Sequence, residues 1–360
     1  MKRSVKTSLP TLQDVQYVTA IYQRLAGNFE AETLTNLLEW QEQNIRYWKE
    51  RYWVSNVLII FLVSLVVVFL VILFSVINVP YLTLIARKTL LAFGLISIII
   101  GIFLAGFVCF MLPYNYYSYI AREREITRKE KFKKLAKFVW HTIKPNLSLA
   151  EILDYHLAVC RDYAKLTAAL LLNKYPEVYF LTLPNHVATA VRINGKYYVL
   201  DQRLPIMSLD SWIENWEWLL WWERIKNKLL LRKYIPKCNM YSVQFERNSN
   251  RVISTKPTIK EMKPQQNKNI EICIEKLEAL LTREFNLNQA ETTHREPDFK
   301  IILKNYVIYC EDDEIILYSM ARSIKNRIEA ELCGNIKKLS WFKISKKDSK
   351  NLVAEIYLTK

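Results

Sequence analysis

The 360-residue sequence predicts an α+β chain in which a two-helix transmembrane hairpin precedes an α+β domain and a small C-terminal α/β domain. Three observations predict it. Two long runs, 54–79 and 89–112, contain no Asp, Glu, Lys or Arg. A helix-like block from Cys160 is followed by β-branched stretches around an Asn-Gly pair. Beyond residue 268, helix-like and strand-like patterns alternate. Composition agrees, because 51% apolar residues with 24% charged fits spans joined to water-facing domains. With 6 Gly and 11 Pro, no long disordered linker or fibrous repeat is expected.

Residues 1–53 read as N-terminal cytoplasmic helices, broken at Gly27-Asn28. Leu34, Leu37, Leu38, Ile45, Trp48 and Tyr52 approximate one apolar face of the second helix. Each uncharged run, 54–79 and 89–112, exceeds the roughly 20 helical residues that cross a bilayer. Aromatic residues flank them, Trp48, Tyr52 and Trp53 before the first and Tyr114, Tyr116, Tyr117 and Tyr119 after the second. Arg46, Lys49 and Arg51 precede the hairpin and eight Lys/Arg follow it between 122 and 137, whereas its loop holds only Arg87 and Lys88. That asymmetry predicts a multi-pass protein of the cell membrane with two spans and both termini cytoplasmic.

The net charge of +16 is concentrated in two stretches, +6 over 122–144 and +9 over 223–268. Basic clusters suit nucleic acid or an anionic membrane surface. The first begins ten residues after an apolar run, and no zinc-finger spacing or RNA-binding aromatic signature is present. The expected partner is therefore the lipid bilayer and not nucleic acid. Six cysteines without a CxxC pair point to a reduced compartment, and four histidines without paired spacing argue against a structural metal.

Residues 122–240 form the expected α+β domain, beginning with a basic helix over 122–144. Within 209–235, Trp212, Trp216, Trp218, Trp221 and Trp222 precede Arg224, Lys226, Lys228, Arg232 and Lys233. An interfacial helix has this composition, yet projection as one helix scatters the apolar positions around the axis. Residues 241–267 are polar, contain Pro257 and Pro264, and read as a linker. Over 268–360 the pattern gives helices near 268–284 and 317–333, with strands over 299–309, 339–345 and 352–358.

Chemistry is concentrated in 149–205. Leu166, Ala169 and Leu170 recur at helical spacing, which places Cys160 near the first turn of a helix. A helix N-terminus supplies free N–H groups and a partial positive charge, both of which favour a thiolate. Residues 186–193, from His186 to Ile193, read as a strand, Asn194-Gly195 as a type I′ turn, and 196–201 as the returning strand. With that turn Ile193 faces Lys196, so Asp201 lies opposite Ala188. His186, two positions from Ala188, then projects from the same side of the sheet as Asp201. A carboxylate so placed orients an imidazole, which in turn deprotonates a thiol if the Cys160 helix packs close by. His156, four residues before Cys160, is a competing base without an accompanying acid. Asp154, Arg161 and Asp162 read as structural or helix-terminal residues. The Cys160 N–H is one expected oxyanion donor, and Trp140, Asn146 and Tyr155 are alternatives for the second.

This block resembles the transglutaminase-like superfamily, papain-like in fold, and in particular its membrane-anchored archaeal and bacterial members. The resemblance rests on Cys160-x-Asp162-Tyr163-Ala164-x-Leu166 and on Tyr198-Val199-Leu200-Asp201, and it covers about residues 125–210. It implies a catalytic triad of Cys160, His186 and Asp201. The chain departs from the family's usual pattern at Ala158, Ala188 and Tyr198, where glycine, tryptophan and tryptophan are common. Those positions bear on packing and cleft walls, and so on substrate preference.

The expected activity is acyl transfer at an amide or ester carbonyl of a peptide or protein substrate near the membrane. As the resemblance implies, hydrolysis is favoured over cross-linking, and no metal or nucleotide cofactor is called for. The alternative is an inactive peptide-binding or membrane scaffold protein built on the same fold.

Overall fold

The computed structural model describes residues 9–49, 127–144, 146–230, 234–246, 251–262, 269–287, 296–332 and 339–359, with scattered residues between 51 and 116. From the N-terminus come α1 (Leu12–Leu25), α2 (Glu30–Asn44), β1 (Arg46–Tyr47), α3 (Arg128–Ile143), α4 (Leu149–Tyr155) and β2 (Leu157–Ala158). Next are α5 (Cys160–Leu171), β3 (Glu177–Leu183), β4 (His186–Ile193), β5 (Lys196–Leu200), β6 (Met207–Ser208), α6 (Leu209–Asn215) and α7 (Trp221–Leu229). Three strands follow, β7 (Lys237–Glu246), β8 (Arg251–Ser254) and β9 (Thr258–Glu261). The C-terminal elements are α8 (Ile270–Glu284), β10 (Phe299–Leu303), α9 (Tyr306–Tyr309), α10 (Glu314–Glu331), β11 (Leu339–Lys346) and β12 (Leu352–Leu358).

The expected transmembrane hairpin must be corrected. Among the described residues no helix is long and apolar enough to cross a membrane. Most of 54–79 and 89–112 lies outside the described residues, and the few described there make no spanning helix. The two-span, multi-pass arrangement and the termini it placed on the cytoplasmic side are therefore not carried further. An uncharged run supplies the length and hydropathy for a span, but the described chain contains no such helix.

The chain divides into two compact units. The larger comprises residues 1–45, 148–150 and 160–360. Its core is a seven-stranded sheet with the order β6-β5-β4-β3-β7-β8, and β9 also pairs with β7. Among the described residues all its strand pairings are antiparallel. Strand β3, between β4 and β7, is buried from Val178 to Leu183, as its apolar run suggests. The register of β4 and β5 is the one the turn sets, with Ile193 opposite Lys196 and Thr189 opposite Leu200. Asn194 (φ 50°) and Gly195 (φ 81°) both have positive φ, as a type I′ turn requires. Where it is described, the 241–267 stretch is corrected from linker to strands of the sheet, because β7 extends through Glu246 and β8 and β9 follow it.

Helix α5 is buried from Asp162 to Leu171, with β4 along one side and α1 and α2 against it. The N-terminal helices thus belong to the core of this unit and form no separate domain. A buried ion pair fixes them. Lys165 Nζ lies 3.0 Å from Asp14 Oδ2, and both side chains are buried. Burial opposes ionisation of Asp14, but hydrogen bonds from the Thr11 and Leu149 backbones, together with Lys165, hold its carboxyl below the usual range. Removing one partner leaves the other charge uncompensated. Asp14→Ala is therefore expected to lower the unfolding free energy by about 3–5 kcal/mol, measured by urea denaturation. The ordinary loss for an exposed pair, below about 1 kcal/mol, would contradict this role.

The C-terminal residues also belong to the larger unit. Strands β10, β12 and β11 form an antiparallel sheet, and α10 packs on α2 and α8. The expected strand over 299–309 stops at Leu303. Asn305, at φ 65°, turns the chain into α9.

The smaller unit comprises 46–147 and 151–159. Strands β1 and β2 pair in parallel, and Trp48, Phe138 and Tyr155 form an aromatic cluster with centroids 5.0–5.6 Å apart. Helix α3 is the expected basic helix, capped by Thr127 and Glu130.

Candidate active site

Cys160 opens α5, where the sequence places it. The thiol is partly exposed, in contrast to the buried Cys238, Cys273 and Cys310. Its Sγ lies 3.9 Å from the Asn185 carbonyl oxygen, so the first turn of α5 sits beside the start of β4. Farther along, the Thr189 hydroxyl donates to the Ala164 carbonyl at 2.9 Å and ties helix to strand. Asn185 adopts φ 60° in the tight connection from β3, and His186 follows as the first residue of β4.

His186 and Asp201 meet. Nε2 of His186 is 2.8 Å from Asp201 Oδ2, and both side chains are almost completely buried. This leaves Nδ1 for Cys160, whose sulfur accepts from the charged ring. Burial disfavours the charged imidazole. The Asp201 charge and hydrogen bond, joined by those of Cys160, outweigh it and push His186 up to about 10.

Two further residues bear on the site, and sequence spacing alone gives neither of them a role there. The indole N–H groups of Trp212 and Trp216 both donate to Asp201 Oδ2 at 3.0 Å. The same rings cover His186, Trp216 with a centroid separation of 4.0 Å and Trp212 stacked at 5.9 Å. One carboxylate oxygen thus takes three donors, which fixes its direction, while the aromatic faces favour a cationic ring. The available signal is the density of tryptophan shortly after Asp201, a composition that also suits an interfacial helix.

The C-terminal segment braces these tryptophans. Ser211, next to Trp212, donates to Glu311 at 2.7 Å, and Tyr309 donates to Asn215 at 3.2 Å. Asp313 Oδ2 accepts from Lys196 at 2.7 Å and Tyr198 at 3.0 Å, both on β5 just before Asp201. Beside Trp216 opens a cavity of about 520 Å³, lined also by Glu214, Glu217, Asn305 and Lys350.

The other residues singled out from sequence have different surroundings. Asp162 is buried in α5, and Arg161 lies 3.9 Å from it, consistent with a structural role. Within the smaller unit, the Tyr155 hydroxyl is engaged by His141 Nδ1 at 2.7 Å. His156 takes φ 54°, and its carbonyl accepts the Arg46 N–H at 2.8 Å. Trp140 is 65% exposed.

Because the indole donors orient Asp201, Trp216→Phe is expected to lower turnover of an activated ester about tenfold with the ring stack retained. Trp212→Phe is expected to act in the same direction. Steady-state kinetics beside thermal unfolding checks this; an equal fall in stability with unchanged kcat would assign both rings to packing alone.

Comparison with known proteins gives a consistent picture. The sequence pattern described as Transglutaminase-like domain matches residues 16–233. A UPF0252 protein of Methanocaldococcus jannaschii is 28% identical over 358 residues, 96% of this chain and 93% of that protein. A UPF0252 protein of Pyrococcus horikoshii is 38% identical over 101 residues, 26% of this chain and 31% of that one. For one from Archaeoglobus fulgidus the identity is 33% over 73 residues, 19% of this chain and 23% of that protein. No solved structure matches.

Proposed function

We propose that this chain, which belongs to the transglutaminase-like domain family, is a cysteine-dependent enzyme that transfers acyl groups from peptide or protein amides. The observation that carries the proposal is the partly exposed Cys160 thiol acting on an imidazole whose far nitrogen is held by buried Asp201. The Cys160 proton passes first to His186, whose charged form the site favours, and the sulfur then attacks the carbonyl carbon. As the tetrahedral intermediate collapses, the C–N bond breaks and His186 returns that proton to the leaving amine. Water then attacks the thioester, giving up a proton to His186, and releases the acid and the free thiol. Asp201 stays ionised and holds the ring in the required orientation. The Cys160 backbone N–H, at the start of α5, is the donor best placed for the developing oxyanion.

Hydrolysis is the favoured outcome, with peptidase or amidase activity ahead of cross-linking. The cavity beside Trp216 offers space for part of a substrate, and its carboxylates and amides suit polar groups.

Mass spectrometry after brief exposure to an activated acetyl ester tests the reading. An acetyl adduct is expected on Cys160 and absent from Cys160→Ala, and an added amine is expected not to outcompete water for it. Equal acetylation of Cys160 in His186→Ala would overturn the catalytic assignment and favour a binding module.

A further inference from the structure

Helix α7 turns its apolar face to solvent. Trp218, in the 3₁₀ turn before it, is 64% exposed, and Trp221, Trp222, Ile225 and Leu229 are 57, 64, 41 and 78% exposed. No residue of α7 is buried, although Ser211, Trp212 and Ile213 of the preceding α6 all are. At the helical period of about 100° per residue, the four exposed side chains of α7 fall in one sector roughly 100° wide. Lys226 and Lys228 flank that sector on opposite sides, whereas Glu223 and Asn227 lie behind it.

Read as a single helix, 209–235 has no such stripe. The chain instead breaks at Trp216 and passes through the 3₁₀ turn Glu217–Leu220 before α7 starts. The break resets the phase. The first part turns its indoles inward to Asp201, and the second keeps its indoles outside.

Charge identifies what the face fits. From Trp221 to Lys237 the sequence holds six Lys/Arg and one Glu, a net charge of +5. Indoles and aliphatic side chains on one face with lysines along its edges match the boundary between lipid headgroups and acyl chains. An apolar protein groove gives those flanking cations no anionic partner. We propose that α7 docks flat on an anionic lipid surface, with Ile225 and Leu229 below the headgroups, the indoles at their level and Arg224, Lys226 and Lys228 on lipid phosphates. The contact involves one helix face and needs no spanning segment. It is independent of the acyl-transfer reading.

The test uses the full chain with Cys160→Ser and a single added cysteine, at Leu229→Cys or Asn227→Cys, carrying an environment-sensitive fluorophore. The protein without the added cysteine serves as blank. Vesicles of phosphatidylcholine with phosphatidylglycerol are compared with phosphatidylcholine alone. The expected result is a several-fold, blue-shifted rise at position 229 with anionic vesicles only, and none at 227. Lys226→Ala is expected to raise the lipid concentration for half-saturation about fivefold. Three results would overturn the proposal: no response at 229, an equal response at 227, or a vesicle-independent rise with protein concentration. The last would assign the face to a second copy of the chain.

Discussion

Asp201→Asn is expected to lower turnover of an activated ester by about 10⁴-fold with the fold retained. The side chains are nearly isosteric, so the difference is electrical and directional. Asp201 Oδ2 now receives His186 Nε2–H and two indole N–H groups. An asparagine oxygen can accept the same three donors, but it carries no charge with which to stabilise an imidazolium. An amide turned the other way sets its NH₂ against those donors and forces the ring toward the wrong tautomer. His186 then falls from about 10 toward its ordinary range, because its largest favourable influence is the Asp201 charge. Ester hydrolysis against pH reads both effects. A loss smaller than tenfold would remove Asp201 from the mechanism and leave it a packing residue.

His186→Gln carries the second large effect, a loss of turnover of about 10⁴-fold, and it also changes how stability depends on pH. In the unfolded chain the imidazole titrates near 6.5, and in the fold it is raised to about 10. Protonation therefore favours the folded state. The charged ring's contribution is complete below about pH 6.5 and is lost as pH rises toward 10. Relative to His186→Gln, the wild-type protein is expected to be most favoured near pH 6, with the difference shrinking steadily up to pH 10. Urea midpoints of both proteins across this interval test the sign. A difference that grew with pH would mean that burial dominates and that His186 is held neutral.

Legibility from sequence followed the range of the interactions involved. The Asn194-Gly195 turn is local chemistry, and a turn of known length fixes the β4–β5 register as far as Leu200, next to Asp201. The start of α5 at Cys160 was readable for the same reason, since helical periodicity begins a few residues later. Strand β7 was not. Its Ser242 and Gln244 look like linker residues until Glu177 on neighbouring β3 is seen to accept from both. Pro257, which suggested a linker, lies in the connection between β8 and β9, where no ladder N–H is needed. The donors to Asp201 were hidden by phase. A continuous helix through 209–235 separates Trp212 and Trp216 from their roles, and only the break after Asn215 returns both indoles to one oxygen. The expected spans rested on uncharged length, flanking aromatic residues and the asymmetry of basic residues, and no described helix carries them.

The central claim is that the imidazole at the start of β4 governs the sulfur at the start of α5. Its most direct test is the alkylation rate of each cysteine near pH 7 by a small uncharged reagent, with sites mapped by peptide mass spectrometry. Cys160 is predicted to react at least about tenfold faster in the wild-type chain than in His186→Ala, with Cys238, Cys273 and Cys310 slow in both. Equal rates at Cys160 in the two proteins would contradict it.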